Sequence, residues 1–354
     1  MPATIARSRW ISGALGLSAV LSIGCGSAPA PTRPPSLPPS ASADSRTREV
    51  ACAAGEAAAC LALADMFEAG EGVPVDSDRA AQFYEQACDR GEMTGCFYLG
   101  IKFETGQGVA IDMARAVRLY ERACSGGEMD ACSNFGGMFE AGSGVAVDGS
   151  RATQLYEQAC TGGSMRGCAN LGAMYARGVG VAADSARAAR LYEQACTAGD
   201  TLGCVNLAGV LTSGDGVPMD KVRAVRLNEE LCAAGEAVGC FNLGVMADDG
   251  DGLAVDDARA RRLYEQACTG GVASACTNLG VMFSRGEGVA VDKARAVALY
   301  DQACAAGDPN GCFNLGVLVG KGEGAAADPA RARRLFEQAC AAGATRACDR
   351  LAAE

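Results

Sequence analysis

The chain has no histidine. That absence excludes histidine-assisted serine or cysteine nucleophiles and every histidine-ligated metal site. Aromatic residues are only 5% of a sequence that is 49% hydrophobic, and Trp10 is the single tryptophan. Positive charge is also short, with 31 Lys and Arg against 42 Asp and Glu, a formal net charge of −11. An acidic balance argues against a nucleic-acid binder, which needs a basic face. Proline is scarce outside one stretch: six of the eleven lie between Gly26 and Thr47. What the chain has in excess is glycine, 47 residues, and cysteine, 19. So many thiols would be a hazard in a reducing cytosol, which points to an exported protein.

The N-terminus fits export. Arg7 and Arg9 precede Ile11–Gly24, an apolar and small-residue run of 14. The run is too short to span a bilayer but suits the apolar region of a signal peptide. It ends in Leu21-Ser22-Ile23-Gly24-Cys25, which resembles a bacterial lipobox. In that resemblance Gly24 admits the lipoprotein signal peptidase, and Cys25 becomes thioether-linked to diacylglycerol. Ser22 departs from the usual leucine, and the rival reading is an ordinary secretory signal cleaved later. Gly26, where retained lipoproteins often carry aspartate, favours the outer membrane of a bacterial cell envelope. The expected organisation is a signal peptide over 1–24, a lipidated cysteine with a Pro/Ser/Ala-rich tether over 25–46, and a folded region over 47–354. The tether composition cannot bury enough apolar area to offset its ordering entropy.

The folded region repeats. Cysteines fall at 52, 88, 124, 160, 196, 232, 268, 304 and 340, a strict 36-residue period, and each has a partner eight residues later. Nine C-x7-C pairs absorb 18 cysteines and leave Cys25. Such a period is the mark of a solenoid or array. In the unit starting at Cys168, residues Cys168, Leu171, Gly172 and Tyr175 share one helical face. Glycines ten and twelve residues after the cysteine suit helix termination, and Asp184 stands where a second helix needs an N-cap. Ala188, Leu191 and Tyr192 supply that helix's core face. Eight units run from Cys60 to Cys340, each with the same glycines and aspartate.

The repeated string, N-L-G-x-M-(F/Y)-x-x-G-x-G-V-x-x-D-x-x-R-A-x-x-L-Y-E-Q-A, resembles the Sel1-like repeat, a relative of the tetratricopeptide repeat. The added C-x7-C is similar to the Helicobacter cysteine-rich proteins. The resemblance covers about 47–354. It implies an all-α fold: a right-handed superhelical solenoid of eight full 36-residue repeats with flanking half-repeats, its concave face built by the first helix of each unit. Asn228, Leu231 and Ala325 replace the repeat's tyrosine, alanine and valine and imply altered packing there.

Each C-x7-C spans a Gly-rich turn between helices. Pairing across units would have to bridge the roughly 8–10 Å between packed helices, beyond disulfide reach. The expected bonds are Cys52–Cys60, Cys88–Cys96, Cys124–Cys132, Cys160–Cys168, Cys196–Cys204, Cys232–Cys240, Cys268–Cys276, Cys304–Cys312 and Cys340–Cys348. Zinc binding is the rival, but the spacing does not match a knuckle and no histidine completes a site.

Catalytic motifs are not found. S-x-x-K and K-T-G are absent, although some cysteine-rich relatives are described as penicillin-binding or weakly β-lactamase-like. The chain therefore reads as a non-enzyme without cofactor or metal. The position two after the first-helix cysteine carries Asn134, Asn170, Asn206, Asn242, Asn278 and Asn314, about 200° from the core direction at 100° per residue. An asparagine row can hydrogen-bond an extended peptide with donor and acceptor alike. The rival is that these amides satisfy groups between helices. The repeat arginine, from Arg79 to Arg331, is expected to pair with an acid of a neighbouring unit. The resulting functional expectation is an envelope-anchored scaffold that binds a protein or peptide. The alternative is a β-lactam- or peptidoglycan-binding protein with weak hydrolase activity.

Overall fold

A computed structural model describes residues 41–353. The expected signal peptide over 1–24, the expected lipidation at Cys25 and the expected tether as far as residue 40 lie outside the described residues. Every regular element described is an α-helix, and the helices fall into two compact units, 41–200 and 201–353. The first holds α1 (Ala41–Ala53), α2 (Ala57–Ala69), α3 (Ser77–Asp89), α4 (Met93–Thr105), α5 (Met113–Ser125), α6 (Met129–Ala141), α7 (Gly149–Thr161), α8 (Met165–Arg177) and α9 (Ser185–Thr197). The second holds α10 (Thr201–Ser213), α11 (Lys221–Ala233), α12 (Ala237–Asp249), α13 (Asp257–Thr269), α14 (Ala273–Arg285), α15 (Lys293–Ala305), α16 (Pro309–Lys321), α17 (Pro329–Ala341) and α18 (Thr345–Ala352). Each unit therefore contains four full helix pairs.

One repeat explains all of them. In α8 the expected face is buried, with Cys168, Leu171, Gly172, Met174 and Tyr175 withdrawn from water. The helix stops at Gly178, whose φ of 67° is left-handed and whose N–H donates to the Met174 carbonyl. Two residues on, Gly180 also has a positive φ, and a Cβ there would lie 2.1 Å from the Gly149 carbonyl oxygen. The loop thus rests directly on the first turn of α7, and both backbone angle and contact exclude a side chain. Asp184 then caps α9, its carboxylate accepting from the Arg187 backbone N–H. All eight second helices of full repeats begin with this cap, each contributing about 1 kcal/mol.

Pairs lock through a ring-on-glycine contact. The glycine four after the first-helix cysteine lies under the second-helix ring: a Cβ on Gly100, Gly136, Gly172, Gly244, Gly280 or Gly316 would come within 2.6–2.9 Å of Tyr120, Tyr156, Tyr192, Tyr264, Tyr300 or Phe336. This close approach accounts for a half-apolar chain that needs so few aromatics. The ring hydroxyl then reaches the residue eight after the cysteine. Tyr120, Tyr156 and Tyr264 donate to Glu104, Glu140 and Asp248 at 2.5, 2.7 and 3.3 Å.

Sequence departures obey the same packing rule. In the repeat at 204–232, Ala208 takes the glycine position while Asn228 takes the ring position, and Asn228 is fully buried with Nδ2 donating to the Ala224 carbonyl. In the first repeat, Ala64 adds a methyl below Tyr84, and the Tyr84 hydroxyl turns to Asp65 at 2.8 Å. In the last, Gly320 offers no acceptor and the ring is Phe336, without a hydroxyl.

The first helix takes in residues at the end of the expected tether. Helix α1 begins at Ala41, so residues 41–46 are helical; Asp44 and Arg48 pair at 3.0 Å one turn apart, and Ser45 is buried. No proline follows Pro39 before the repeats begin, so nothing prevents the helix from starting early.

Candidate interaction surface

The disulfides hold the turns. Eight of the expected bonds are formed within single C-x7-C motifs: Cys52–Cys60, Cys88–Cys96, Cys124–Cys132, Cys160–Cys168, Cys232–Cys240, Cys268–Cys276, Cys304–Cys312 and Cys340–Cys348. Their Cα–Cα distances are 4.4–4.9 Å. The ninth expected pair, Cys196 and Cys204, straddles the division between the units. Each bridge joins the end of a second helix to the first turn of the next first helix, so that helix is aimed from its root. The arginines add register. Arg79, Arg115, Arg187, Arg259, Arg295 and Arg331 pair with Glu49, Glu85, Glu157, Glu229, Glu265 and Asp301, each 30 residues earlier. The guanidinium groups of Arg79, Arg115, Arg187 and Arg295 also lie 4.2–4.3 Å from the ring centroids of Phe67, Phe103, Tyr175 and Phe283. Half-exposed pairs of this kind contribute under about 1 kcal/mol each.

On this scaffold the asparagine row divides. In the first unit Asn134 and Asn170 are half-buried, and Asn170 Nδ2 donates to Ser133 Oγ of the preceding first helix at 3.2 Å. In the second unit Asn206, Asn242, Asn278 and Asn314 are only 0–2% exposed. A uniformly solvent-facing row of six is therefore not what the structure shows. The angular argument omitted the neighbouring first helices, which touch one another, α6 against α8 and α14 against α16. It also omitted how apolar the flanking positions become: Phe241, Val245, Val281, Phe313 and Val317 are all buried. Asn206 is a special case, since neither Nδ2 nor Oδ1 has a hydrogen-bond partner among the described residues.

The first unit instead gathers charge and rings on the same positions. Lys102 stands where other repeats carry methionine, valine or leucine; it is 3% exposed, and its Nζ lies 2.6 Å from Glu68 Oε2. Tyr98 interrupts the asparagine row and stacks on Tyr84 at 5.3 Å between centroids. Asp65 occupies a position that is Gly137 or Ala173 in later repeats. Loss of hydration raises the Asp65 carboxyl above its ordinary 3.8, with the Tyr84 hydrogen bond pulling it down and Glu68 adding to the rise. Burial also raises the Tyr84 hydroxyl and pushes Tyr98 up to about 12. Sequence reading missed this group, although the signal was available: Asp65, Tyr98 and Lys102 each break a repeat position within one pair of neighbouring repeats.

A third feature runs along the loops. Val75, Ile111 and Val147 in one unit, and Met219, Val255 and Val291 in the other, are 58–70% exposed just before the capping aspartate. Among the described residues no group of acids or cysteines has metal-site geometry, and no helix is long and apolar enough to cross a membrane.

Comparison with known proteins places this architecture. The Sel1 repeat model matches residues 57–92, 94–128, 130–164, 166–200, 237–272, 273–308 and 309–343. The unmatched stretch, 201–236, is the one with Ala208 and Asn228. Among solved structures, the chain is 26% identical, with a TM-score of 0.63, to a protective antigen present in uropathogenic Escherichia coli strains and displaying an SLR fold. That match covers 86% of this chain and 65% of the antigen, so the chain spans less than two thirds of it. A Sel1 repeat protein from Oxalobacter formigenes is 22% identical with a TM-score of 0.62, over 86% of this chain and 89% of that one. No curated protein matches. With seven repeats recognised across most of its length, the chain belongs to the Sel1 repeat family.

Proposed function

We propose that this protein is a lipid-anchored scaffold of the bacterial cell envelope that binds another protein or a peptide along its first helices. The observation that carries the reading is the first-helix face itself. Six helix pairs repeat the ring-on-glycine packing, while other first-helix positions change from repeat to repeat. Asp65 and Tyr98 in the first unit are side chains of recognition, not of the repeat, and buried Lys102 holds Glu68 beside them. Charged and aromatic groups held on rigid elements make a preformed surface and lower the ordering cost of binding.

The anchor rests on Cys25 and the lipobox-like sequence before it. The outer membrane is the favoured site, and the tether from Gly26 onward would hold the repeats away from the lipid. Within the asparagine row, Asn134 and Asn170 are the accessible candidates for pairing with a peptide backbone. The test is crosslinking in intact cells followed by capture from non-reduced membranes. The wild-type chain should recover a defined envelope partner, and Asp65→Ala with Tyr98→Ala should lose it while keeping the helical signal and a cooperative melt, lowered by the loss of the Tyr84 bond and stack. Recovery of the same partner by that variant would refute the assignment of the face.

A further inference from the structure

Helix α1 is a second helix without the usual core. In α3, α5, α7 and α9 a buried tyrosine stands four residues before the last cysteine. In α1 that place belongs to Arg48, which pairs with Asp44 instead. Among the described side chains of α1 only Ser45 and Cys52 are buried, and Val50 is 71% exposed. What this helix lacks in apolar burial is supplied by its bridge to α2, Cys52–Cys60, and by the half-exposed Arg79–Glu49 pair.

The same bridge carries a cation. Two residues after the last cysteine of the second helix, seven full repeats have glycine or alanine, as at Gly126 and Ala198; the remaining one has Arg90. Arg90 Nη1 lies 3.0 Å from Cys60 Sγ and 4.0 Å from Cys52 Sγ. It also donates to the Gln86 backbone carbonyl at 3.1 Å and to Gln86 Oε1 at 3.3 Å, which holds it over the sulfurs. Both cysteines are withdrawn from water, so little solvent screens the cation on the sulfur side. A disulfide offers the guanidinium no charge, whereas a thiolate offers a full one. Arg90 therefore favours the opened, ionised pair over the closed bond.

We propose that Cys52–Cys60 is a thiol–disulfide exchange site, opened by a dithiol reductant under conditions that leave the other described bridges closed. One thiolate of the reductant attacks Cys52 Sγ, the S–S bond breaks, and the electron pair leaves on Cys60 as a thiolate beside Arg90. The second thiol of the reductant then displaces Cys52 from the mixed disulfide and gives it a proton. The reductant departs as its own disulfide, and the protein keeps one thiol and one thiolate. Opening the bond unties α1 from α2. The site stands whether or not the anchor and scaffold reading holds; where the anchor holds, the site loosens the joint between tether and repeats.

The experiment equilibrates the full chain with graded ratios of reduced to oxidised dithiothreitol at pH 8, quenches with an alkylating agent and maps the peptides. Cys52 and Cys60 should become alkylated at a ratio at least about tenfold lower than Cys88 and Cys96, a difference of about 30 mV. Those two cysteines are the fair comparison, because they are buried to the same 1% and 0%. The gap should narrow as pH falls from 8 to 5, since a protonated thiol gives the cation no charge to hold. Arg90→Ala should bring the two bridges within about threefold of each other and keep the fold, alanine being the native residue here in other repeats. At the ratio that opens the first bridge alone, amide exchange should rise in α1 and stay unchanged in α5 and α6. Equal midpoints for the two bridges, a gap that survives Arg90→Ala or the drop in pH, or an α1 still protected once its bridge is open would each overturn the proposal.

Discussion

Replacing Gly136 by alanine tests the ring-on-glycine contact with a known internal precedent. The new Cβ would stand 2.9 and 3.0 Å from two Tyr156 ring carbons and 3.2 Å from the Ala152 carbonyl oxygen. Helix propensity alone favours alanine by about 1 kcal/mol. Overpacking opposes it by about 1–3 kcal/mol. Tilting the ring away would also break the 2.7 Å bond from the Tyr156 hydroxyl to Glu140, costing about 1 kcal/mol more. The net expectation is a loss of about 1–3 kcal/mol. Gly172→Ala should cost about 1 kcal/mol less than Gly136→Ala, because the buried Tyr192 hydroxyl opposite it has no partner to lose among the described residues. The first repeat supplies the rescue: Ala64 is tolerated because Asp65 receives the displaced Tyr84 hydroxyl. Gly136→Ala with Gly137→Asp should therefore recover about 1 kcal/mol, and a further Tyr156→Phe change should remove that gain. Native-state amide exchange across α6 and α7 is the assay, since repeat arrays open locally. A Gly136→Ala protein as stable as wild type or more so would refute the packing argument. An aspartate that rescues nothing would refute the hydroxyl step.

Other perturbations follow the same structure. Replacing Cys304 and Cys312 by alanine should cost up to about 2.5 kcal/mol for a nine-residue loop; exchange should rise in α15 and α16 and stay unchanged two repeats away. Tyr192→Phe removes a buried hydroxyl without a partner and should leave stability unchanged or raise it, whereas Tyr120→Phe should cost about 1 kcal/mol; paired denaturation curves compare them. Asp65→Asn should stabilise slightly at neutral pH. A carboxyl raised in the folded state opposes folding once it ionises, so the advantage must fade as pH falls through the raised folded-state value toward 3.8 and be gone below it, where both states are protonated. Because Asp65 is exposed, the effect is small; an advantage that grew in acid would contradict the sign.

Much of the fold was legible because one repeat is written eight times. The 36-residue cysteine period, the paired glycines and the capping aspartate fix helix number, turn position and bridge pairing by local rules, and local rules need no tertiary knowledge. The surface was less legible. An angular count turned all six asparagines away from the core direction and left open whether they meet a ligand or groups between helices; burial depends on neighbouring helices and on Phe241, Val281 and Val317, which lie in other repeats or at other positions. The cluster around Lys102 and the missing acceptor at Gly320 were hidden for a related reason. Both arise from departures that matter only in pairs, such as Ala64 with Asp65, or Gly320 with Phe336, and pairing appears when the helices are packed.

The central claim is an exported chain whose cysteines are nine turn bridges and one lipid anchor, leaving function to its surface. A non-reducing peptide map of the protein purified from membranes tests it most directly. The account predicts a mature N-terminus at a diacylglycerol-modified Cys25, a bond within each C-x7-C motif including Cys196–Cys204, and no free thiol. Unmodified Cys25, bonds between motifs, or alkylatable thiols across the repeats would contradict it.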